Sequence, residues 1–451
     1  MFTDLKSYAS TRDTALAWAK VVPSHWKIQR AKTIMYAVDI RSSTGEEELL
    51  TVSSGRGVVP RSSANVTMFQ AASYVGHKLC WPDDLVINSL WAWGRGLGVA
   101  TNHGIVSTAY GVYRQRQRAL EPAYLHQLVR SQPFQWELQV RSQGVWKSRL
   151  QMTDERWLDA PLLIPPATEQ AAIVKYLAHA NARINKAIAA KRRLIALLEE
   201  EKKAIADVIL GQLDEGAREV RHVLSQLVDC EHKTAPFVEG EPYWLLRTSS
   251  VKSGEIVWSG AYTTDAASYE VWTSRAVPEA GDVIFTREAP VGEAAVIPDG
   301  RRVALGQRTV LMKVRREIMD PQFLVYQVYA GLPRRRISLA TQGSTVGHFN
   351  MDDICWMRVA VPDIEVQRQL VSKIENANSG ANEVIDKMQS EIALLQEFRT
   401  RLVADVVTGQ VDVRAIAATM PDAPEAAVEA LGEDVPMLDE ELGDTVEGDD
   451  E

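Results

Sequence analysis

Residues 169–210 of this 451-residue chain are EQAAIVKYLAHANARINKAIAAKRRLIALLEEEKKAIADVIL. The stretch contains neither proline nor glycine, so at about 1.5 Å per residue it predicts one continuous helix of roughly 60 Å. Thr168 is a candidate to cap its start, and Gly211 to end it. Apolar residues recur every three or four positions, at Ile173, Leu177, Ala180, Ile184, Ile188, Ile195, Leu198, Ile205 and Ile209. Such a narrow stripe is typical of a coiled coil, and a helix of this kind needs a partner.

A second stretch of the same character occupies residues 365–408, EVQRQLVSKIENANSGANEVIDKMQSEIALLQEFRTRLVADVVT. Its apolar stripe consists of Leu370, Ile374, Ala377, Ala381, Val384, Met388, Leu395, Phe398 and Leu402. The two stretches end alike, because VILGQLD at 208–214 matches VVTGQVD at 406–412, and Gln170 and Gln367 lie near the two starts. One stripe alone fits an ordinary amphipathic helix, but two with the same length and ending indicate an internal duplication.

The segments around these helices predict two globular domains with one plan. We expect a first domain at 1–165, the first helix at 166–212, a second domain at 213–362, the second helix at 363–412 and an acidic disordered tail at 413–451. Residues 245–251, 281–287 and 321–326 of the second domain parallel 49–54, 83–89 and 122–127 of the first. The predicted fold class is α+β: two mixed α/β domains, separated by two long helices, with a pseudo-two-fold internal repeat.

Local patterns give further expectations for the first domain. Residues 1–22 predict a helix that packs ahead of the domain. Residues 84–90 and 103–113 predict two buried strands, and residues 122–129 predict a short helix.

The charge of the chain is unevenly distributed. Its formal net charge is −9, but the stretch 422–451 holds 13 of the 59 acidic residues and no Lys or Arg. The rest of the chain therefore has 46 acidic against 50 basic residues, a net charge of +4. A mildly basic body is compatible with nucleic-acid binding.

The cysteines and the hydropathy pattern favour a cytoplasmic protein. Cys80, Cys230 and Cys355 are odd in number and far apart, which does not suggest a disulfide framework. No apolar run is long enough to span a bilayer, and the N-terminus lacks a signal-peptide pattern.

Motifs for catalysis, metal binding and cofactor binding do not emerge from the sequence. The glycine-rich segment GRGLG at 94–98 is not part of a recognisable dinucleotide-binding unit. Cys230 and His232 are close, but no second ligand pair has metal-site spacing. We therefore predict that this chain is not an enzyme and carries no metal.

Basic and polar residues mixed with aromatics are concentrated in corresponding loops of both domains. Arginine reads guanine edges, Asn and Gln read adenine, and Lys and Arg hold phosphates. A single such residue is better explained as a solvated surface charge, whereas the set favours nucleic acid. The candidate DNA-binding residues are Arg56, Asn88, Trp93, Arg95, Arg114, Arg116, Lys147, Arg149, Arg247, Lys252, Arg287, Arg308, Gln342, Ser344, Thr345 and His348. The candidates for helix and partner packing are Ile184, Ile188, Ile195, Leu198, Val384, Met388, Leu395 and Phe398.

Together these features resemble the specificity (S) subunit of Type I restriction–modification systems over nearly the whole chain, to about residue 414. The two helices look like that family's two conserved regions, including EQ at 169–170 after IPP at 164–166 and the Gly-Gln endings. DLVIN at 84–88, followed by Trp93, Gly98 and GIVSTAY at 104–110, looks like one class of its target recognition domains. GDVIFTR at 281–287, Gly292 and Gly306-Gln307 look like a second class. The acidic tail departs from the pattern.

The resemblance implies a non-catalytic subunit that binds double-stranded DNA. Each target recognition domain would read one half of a bipartite site in the major groove, and the two helices would pack antiparallel as a ruler. Two methyltransferase (modification) subunits that bind S-adenosylmethionine would clasp the helices and methylate adenine. Restriction subunits would add translocation and cleavage driven by ATP and Mg. No cofactor is expected in this chain itself.

Two other functions fit parts of the pattern. The first is a stand-alone DNA-binding regulator that uses the same pseudo-dimer. The second is a coiled-coil scaffold with no DNA role, although the repeated basic loops argue against it.

Overall fold

The computed structural model describes residues 5–64, 73–144, 150–231, 233–341 and 349–424. The chain forms two compact units: the first comprises the chain up to Arg192 and from Gln389 onward, and the second comprises Arg193–Met388. Each of the two long helices therefore contributes one part to each unit. We call the residues before the first long helix the first domain, and those between the two long helices the second domain.

The described residues of the first domain form short strands and four short helices. Its strands are β1 Thr11–Asp13, β2 Val21–Pro23, β3 Lys27–Arg30, β4 Met35–Ala37, β5 Leu50–Ser53, β6 Gly57–Pro60, β7 Lys78–Cys80, β8 Leu85–Asn88, β9 Leu97–Val99, β10 Gly104–Val106, β11 Tyr110–Gln115 and β12 Pro161–Ile164. Its helices are α1 Ala31–Ile34, α2 Pro122–Arg130, α3 Gln132–Arg141 and α4 Asp154–Leu158. The first long helix, α5, spans Ala167–Leu210.

The second domain repeats this arrangement. Its strands are β13 Arg218–Glu219, β14 Leu224–Asp229, β15 Tyr243–Leu246, β16 Val251–Lys252, β17 Glu255–Ile256, β18 Tyr262–Thr264, β19 Val283–Thr286, β20 Ala294–Val296, β21 Arg302–Leu305, β22 Thr309–Val314 and β23 Arg358–Val359. Its helices are α6 Ala266–Trp272, α7 Pro321–Ala330, α8 Leu332–Thr341 and α9 Met351–Cys355. The second long helix, α10, spans Ile364–Val407, and α11 spans Arg414–Thr419.

The two domains have the same central sheet. In the first domain four antiparallel strands run in the order β4-β11-β8-β9, and in the second the order is β14-β22-β19-β20. A two-stranded ladder, β3 with β12 and β13 with β23, precedes the long helix in each case. The predicted fold class, α+β with an internal repeat and two long helices, is confirmed.

Each domain packs its core against parts of both long helices. In the first unit, Trp26, Phe134 and Trp157 are fully buried together with Tyr176 of α5 and Val406 of α10. In the second unit, Phe285, Phe323 and Phe349 share a core with Leu210 of α5 and Ile374 of α10. Burial of each large apolar side chain contributes about 1.5–3 kcal/mol, so the helices are part of each domain's stability.

The long helices pack antiparallel within the first unit. The Nζ of Lys191 bonds the carboxylate of Glu391, and the guanidinium of Arg399 donates to Asn185 at 3.1 Å. As residue numbers increase along α5, their partners' numbers on α10 therefore decrease. Ile184 and Ile188, two residues of the predicted apolar stripe, lie in the same part of α5 and are both buried.

The predicted apolar stripe of α10 needs a correction. Ile385 is 5% exposed, whereas the predicted packing residue Val384 is 38% exposed, and Asn378 is buried in place of Ala377. Phe398, another predicted packing residue, is also exposed. The buried positions Ile374, Asn378 and Ile385 are separated by four and then seven residues, because helix geometry and not apolar character alone selects the inward side. Ile195, Leu198, Met388 and Leu395 are partly buried.

Three local expectations for the first domain also differ from the structure. Residues 5–22 form no helix: β1 and β2 pair instead, and the hydroxyl of Thr14 accepts the Leu16 amide and donates to the Ala19 carbonyl, which closes a turn. Thr168 lies inside α5, because the carbonyl of Pro166 already accepts the first-turn amides. The predicted strand at 103–113 is divided into β10 and β11 by a turn.

The segment that precedes the acidic stretch is folded. The predicted tail boundary at 413 falls at the start of α11, and Val413 and Ala417 are buried in the first unit's core. The ring of His179 contacts the Pro421 carbonyl at 2.9 Å, and Lys175 pairs with Asp422 at 3.0 Å. Residues 425–451, which hold 12 of the 13 acidic residues of the stretch 422–451, lie outside the described residues.

Candidate nucleic-acid interface

Two turns of the first domain carry four of the candidate DNA-binding residues. Arg56 is exposed on the turn between β5 and β6, where its guanidinium donates to the Ser63 carbonyl at 2.6 Å. Asn88, Trp93 and Arg95 lie on the turn between β8 and β9. We call these two segments the hairpin turn (residues 53–57) and the long turn (residues 88–97).

The long turn is held by its own polar groups. The side-chain oxygen of Asn88 accepts the Leu90 amide at 3.1 Å, and the indole N–H of Trp93 donates to the Leu90 carbonyl at 3.1 Å. Arg95 has a positive φ of 66°, and its Nε is buried without a hydrogen-bond partner among the described residues. A buried guanidinium N–H of this kind is costly unless another group satisfies it.

The candidate Arg114 is held by the protein itself. It lies on β11, and its guanidinium makes two 2.7 Å bonds to the buried carboxylate of Asp84. These hydrogen bonds raise the pKa of Arg114. The second domain has the equivalent pair, Lys313 on β22 and Asp282, with Nζ and Oδ2 separated by 3.5 Å. The repeat of this pair in both domains indicates a structural role for Arg114.

Arg116 occupies a different environment at the end of the same strand. It is exposed, and its guanidinium lies 5.2 Å from the centre of the Tyr36 ring. Arginine on an exposed aromatic face keeps its N–H groups available to acceptors such as phosphate. Arg116 therefore remains a candidate contact for DNA.

In the second domain the candidates are divided between exposed and buried positions. Lys252 is exposed at the end of β16, next to the turn into β17, and Arg308 is exposed at a positive φ of 65° with Glu288 3.5 Å away. Arg247 is partly buried, and its guanidinium lies 5.1 Å from the centre of the Tyr262 ring. The turn that follows Lys252 corresponds to the hairpin turn of the first domain, whereas Arg308 lies between β21 and β22, where the first domain has no candidate residue.

Arg287, in contrast, is 8% exposed. Its guanidinium donates to the Asp229 carboxylate at 2.7 Å and to the Phe349 carbonyl at 2.8 Å. Its backbone also bonds the backbone of Arg308 and Phe349. In this structure Arg287 therefore joins β14, the loop after β19 and the segment that leads into α9.

Six candidate residues lie outside the described residues: Lys147, Arg149, Gln342, Ser344, Thr345 and His348. Two residues that sequence reasoning missed contact the candidate turns directly. They are Arg130 at the end of α2 and Tyr329 at the end of α7. Alignment of the two repeats could have revealed them, because both positions close a helix that begins with proline.

Burial shapes the electrostatics beneath the turns of the first domain. It lowers the pKa of His126 to about 4, and the positive charge of Arg130 acts in the same direction. It also lowers the pKa of Arg130 to about 10, with a smaller contribution from Arg95. His126 is thus neutral and Arg130 charged at neutral pH. The positive charges close to the two turns are therefore the guanidinium groups of Arg130 and Arg95.

The long helices carry exposed apolar residues at equivalent positions. Leu197 of α5 is 52% exposed, and Leu394 of α10 is 63% exposed. Exposed leucines on these long helices are candidate contacts for a partner protein. Among the described residues, no helix is both long and apolar enough to cross a membrane, and no cluster of three metal-ligating side chains occurs.

Comparison with solved structures places the fold in a known class. A chain from a structure reported as "Structural basis underlying complex assembly and conformational transition of the type I R-M system" matches with 15% identity and a TM-score of 0.51, over 86% of this chain and 98% of that chain. This chain therefore shares its fold with a chain of a type I restriction–modification system.

Two S subunits match more loosely. The HsdS subunit from Thermoanaerobacter tengcongensis has 15% identity and a TM-score of 0.39, over 86% of this chain and 98% of its own. The Type-I restriction-modification system S subunit from M. genitalium has 10% identity and a TM-score of 0.33, over 85% of this chain and 96% of its own. No protein-family model matches the sequence, and neither does any curated protein.

Proposed function

We propose that this chain is the DNA sequence-specificity subunit of a type I restriction–modification system. In this proposal each domain reads one half of a bipartite duplex site through its turns, and α5 and α10 fix the spacing between the halves. The chain itself performs no chemistry. It positions partner methyltransferase subunits, and where present endonuclease subunits, for adenine methylation or restriction.

The observation that carries the proposal is the duplication of a whole domain around a paired set of long helices. The same sheet order and the same cation–aspartate pair occur in both domains. Corresponding turns of the two domains differ in sequence, with SSGRG at 53–57 against KSGE at 252–255, and SLWAWGRG at 89–96 against REAPVGE at 287–293. One scaffold with two different sets of loops suits a protein that reads two different half-sites.

Partners supply what this chain lacks in the proposal. Two methyltransferase subunits would bind the helix surfaces that include Leu197 and Leu394, and would carry S-adenosylmethionine. Restriction subunits would bring ATP and Mg. All of these partners act on DNA, so the assembly would work in the cytoplasm.

Selection from a random pool of duplex DNA tests the proposal. The full chain, with its methyltransferase partner, should enrich a motif of two short sequences separated by a constant gap. Binding should weaken steeply between about 50 and 200 mM salt, because phosphate contacts release counterions. Arg116→Ala should weaken binding, whereas Arg401→Ala, which removes an exposed arginine of α10, should not. No enrichment of any duplex sequence would contradict the proposal.

The two alternatives predict other results. A stand-alone regulator would bind its site with full specificity in the absence of a methyltransferase. A coiled-coil scaffold would bind no duplex DNA at any salt concentration.

A further inference from the structure

A single arginine joins the two candidate turns of the first domain. Arg130, the last residue of α2, donates from Nη2 to the Ser54 carbonyl at 2.6 Å and from Nη1 to the Leu97 carbonyl at 2.7 Å. Longer contacts of 3.3 Å reach the carbonyls of Ser53 and Arg95. Ser53 and Ser54 belong to the hairpin turn, and Arg95 and Leu97 belong to the long turn.

The backbones of the two turns meet without side chains between them. A Cβ at Gly98 would lie 3.0 Å from the Cα of Gly57, so β6 and β9 pack backbone against backbone. The ring of His126, one turn earlier on α2, accepts the Val99 amide at 3.3 Å. The last two turns of α2 therefore contact both candidate turns and hold them in place.

A tyrosine occupies the equivalent place in the second domain. The hydroxyl of Tyr329, on the last turn of α7, accepts the Gly254 amide and the Ala294 amide, both at 2.9 Å. It donates to the Glu293 carboxylate at 2.8 Å, and that carboxylate also accepts the Ser253 amide at 2.6 Å. The hydroxyl thus uses its one donor and both acceptor sites.

The two residues connect the same elements with opposite chemistry. Ser253 and Gly254 form the turn between β16 and β17, which corresponds to the hairpin turn, and Ala294 begins β20 as Leu97 begins β9. Arg130 donates to carbonyls, whereas Tyr329 chiefly accepts from amides. Each residue connects a hairpin that bears an exposed cation, Arg56 or Lys252, to the start of an edge strand of the four-stranded sheet, β9 or β20.

We infer that Arg130 and Tyr329 are equivalent positioning residues, each of which sets the sequence discrimination of its own domain without touching DNA. The inference rests on the proposed function. The hydrogen bonds of Arg130 and Tyr329 fix the positions of the turns. Base discrimination requires contact geometry held to within a fraction of an ångström. Loss of the connection should therefore reduce discrimination in one half-site and leave the other half-site unchanged.

The test compares selection experiments on full-length variants. Arg130→Gln and Arg130→Lys should each lower discrimination at one half-site about tenfold, the size of one good base contact, and Tyr329→Phe should do so at the other. Lysine keeps the charge of Arg130 but lacks the fork that spans both turns. Arg118→Gln, an exposed arginine paired with Glu121, and Tyr326→Phe on α7 are the matched controls.

Three outcomes would overturn the inference. They are unchanged discrimination in a folded Arg130→Gln or Tyr329→Phe variant, full rescue by Arg130→Lys, and equal loss at both half-sites. If Arg130→Gln does not fold, the discrimination measured for Arg130→Lys and Tyr329→Phe tests the inference.

Hydrogen exchange separates this inference from the proposed function. The amides of Gly254 and Ala294 should exchange faster in Tyr329→Phe than in the unchanged chain, whether or not DNA is bound. If exchange is faster in Tyr329→Phe but the unchanged chain enriches no DNA motif, the proposed function is contradicted and the hydrogen-bonded connection is still supported. Unchanged exchange at both amides would contradict the connection itself.

Discussion

Gln170 and Gln367 make the same three side-chain hydrogen bonds in their own domains. Gln170 accepts the Glu121 amide at 2.6 Å and donates to the carbonyls of Ala119 at 3.0 Å and Pro165 at 2.8 Å. Gln367 accepts the Asp320 amide at 2.9 Å and donates to the carbonyls of Ile318 at 2.9 Å and Pro362 at 2.8 Å. Each glutamine is buried and joins the start of its long helix to the loop before α2 or α7.

Replacement of either glutamine by alanine should destabilise the domain that contains it. Each substitution removes the partner of three backbone groups, one in a buried and two in partly buried hydrogen bonds, and an unsatisfied buried group costs about 1–3 kcal/mol, so we expect a loss of roughly 2–3 kcal/mol. Hydrogen exchange resolved by domain should show Gln170→Ala opening the first domain and Gln367→Ala the second. Gln389→Ala, at an exposed position of α10, is the control. Equal protection in all three variants would contradict this role.

Arg287→Ala should lower the free energy of unfolding of the second domain, and any effect on DNA binding should follow from that loss. The substitution removes the guanidinium from the Asp229 carboxylate and the Phe349 carbonyl, and loss of these partly buried, charge-assisted hydrogen bonds costs about 1.5–3 kcal/mol. Urea unfolding should show the loss in the second domain. If Arg287 instead contacts a base, the variant would keep its urea midpoint and lose discrimination at one position of the motif.

Stability of the first domain should fall as the pH falls from about 6.5 to about 4. His126 has a lowered pKa in the folded state, so the unfolded chain binds the proton first and unfolding is favoured over that interval. The contribution is up to about 3 kcal/mol. His126→Gln should flatten the dependence, whereas His222→Gln, an exposed position, should not. A pH dependence that survives in His126→Gln would show that other groups cause it.

A fragment of residues 1–215 should form a homodimer. It lacks the part of α10 that places Leu402, Val406 and Val407 in the first unit's core. Residues 208–214 of a second copy resemble residues 406–412 and can supply the missing surface. Sedimentation at micromolar concentration should detect the dimer, and with the methyltransferase it should recognise an interrupted palindrome. Ile188→Glu with Ile195→Glu should abolish both properties. A folded monomer would show that the helices complement each other and not themselves.

The sequence alone predicted the repeat and the two helices, because each leaves a periodic or compositional pattern. It did not predict which arginines are engaged within the protein. Arg114 with Asp84 and Arg287 with Asp229 are joined only when strands distant in sequence pair, and the sequence contains no local sign of this. The choice of Val384 over Ile385 failed for a related reason, since adjacent apolar residues do not reveal which one faces the core. The contacts of Arg130 and Tyr329 likewise depend on how the turns pack against the ends of α2 and α7.

Mapping of methylated adenines in the host genome, with and without this chain, tests the central claim most directly. The account predicts that one class of methylated adenines disappears without the chain. Those adenines should all lie in a motif of two short sequences with a constant gap, because two domains on one pair of helices read the DNA. An unchanged methylation map, or a lost class that lies in one uninterrupted sequence, would contradict it.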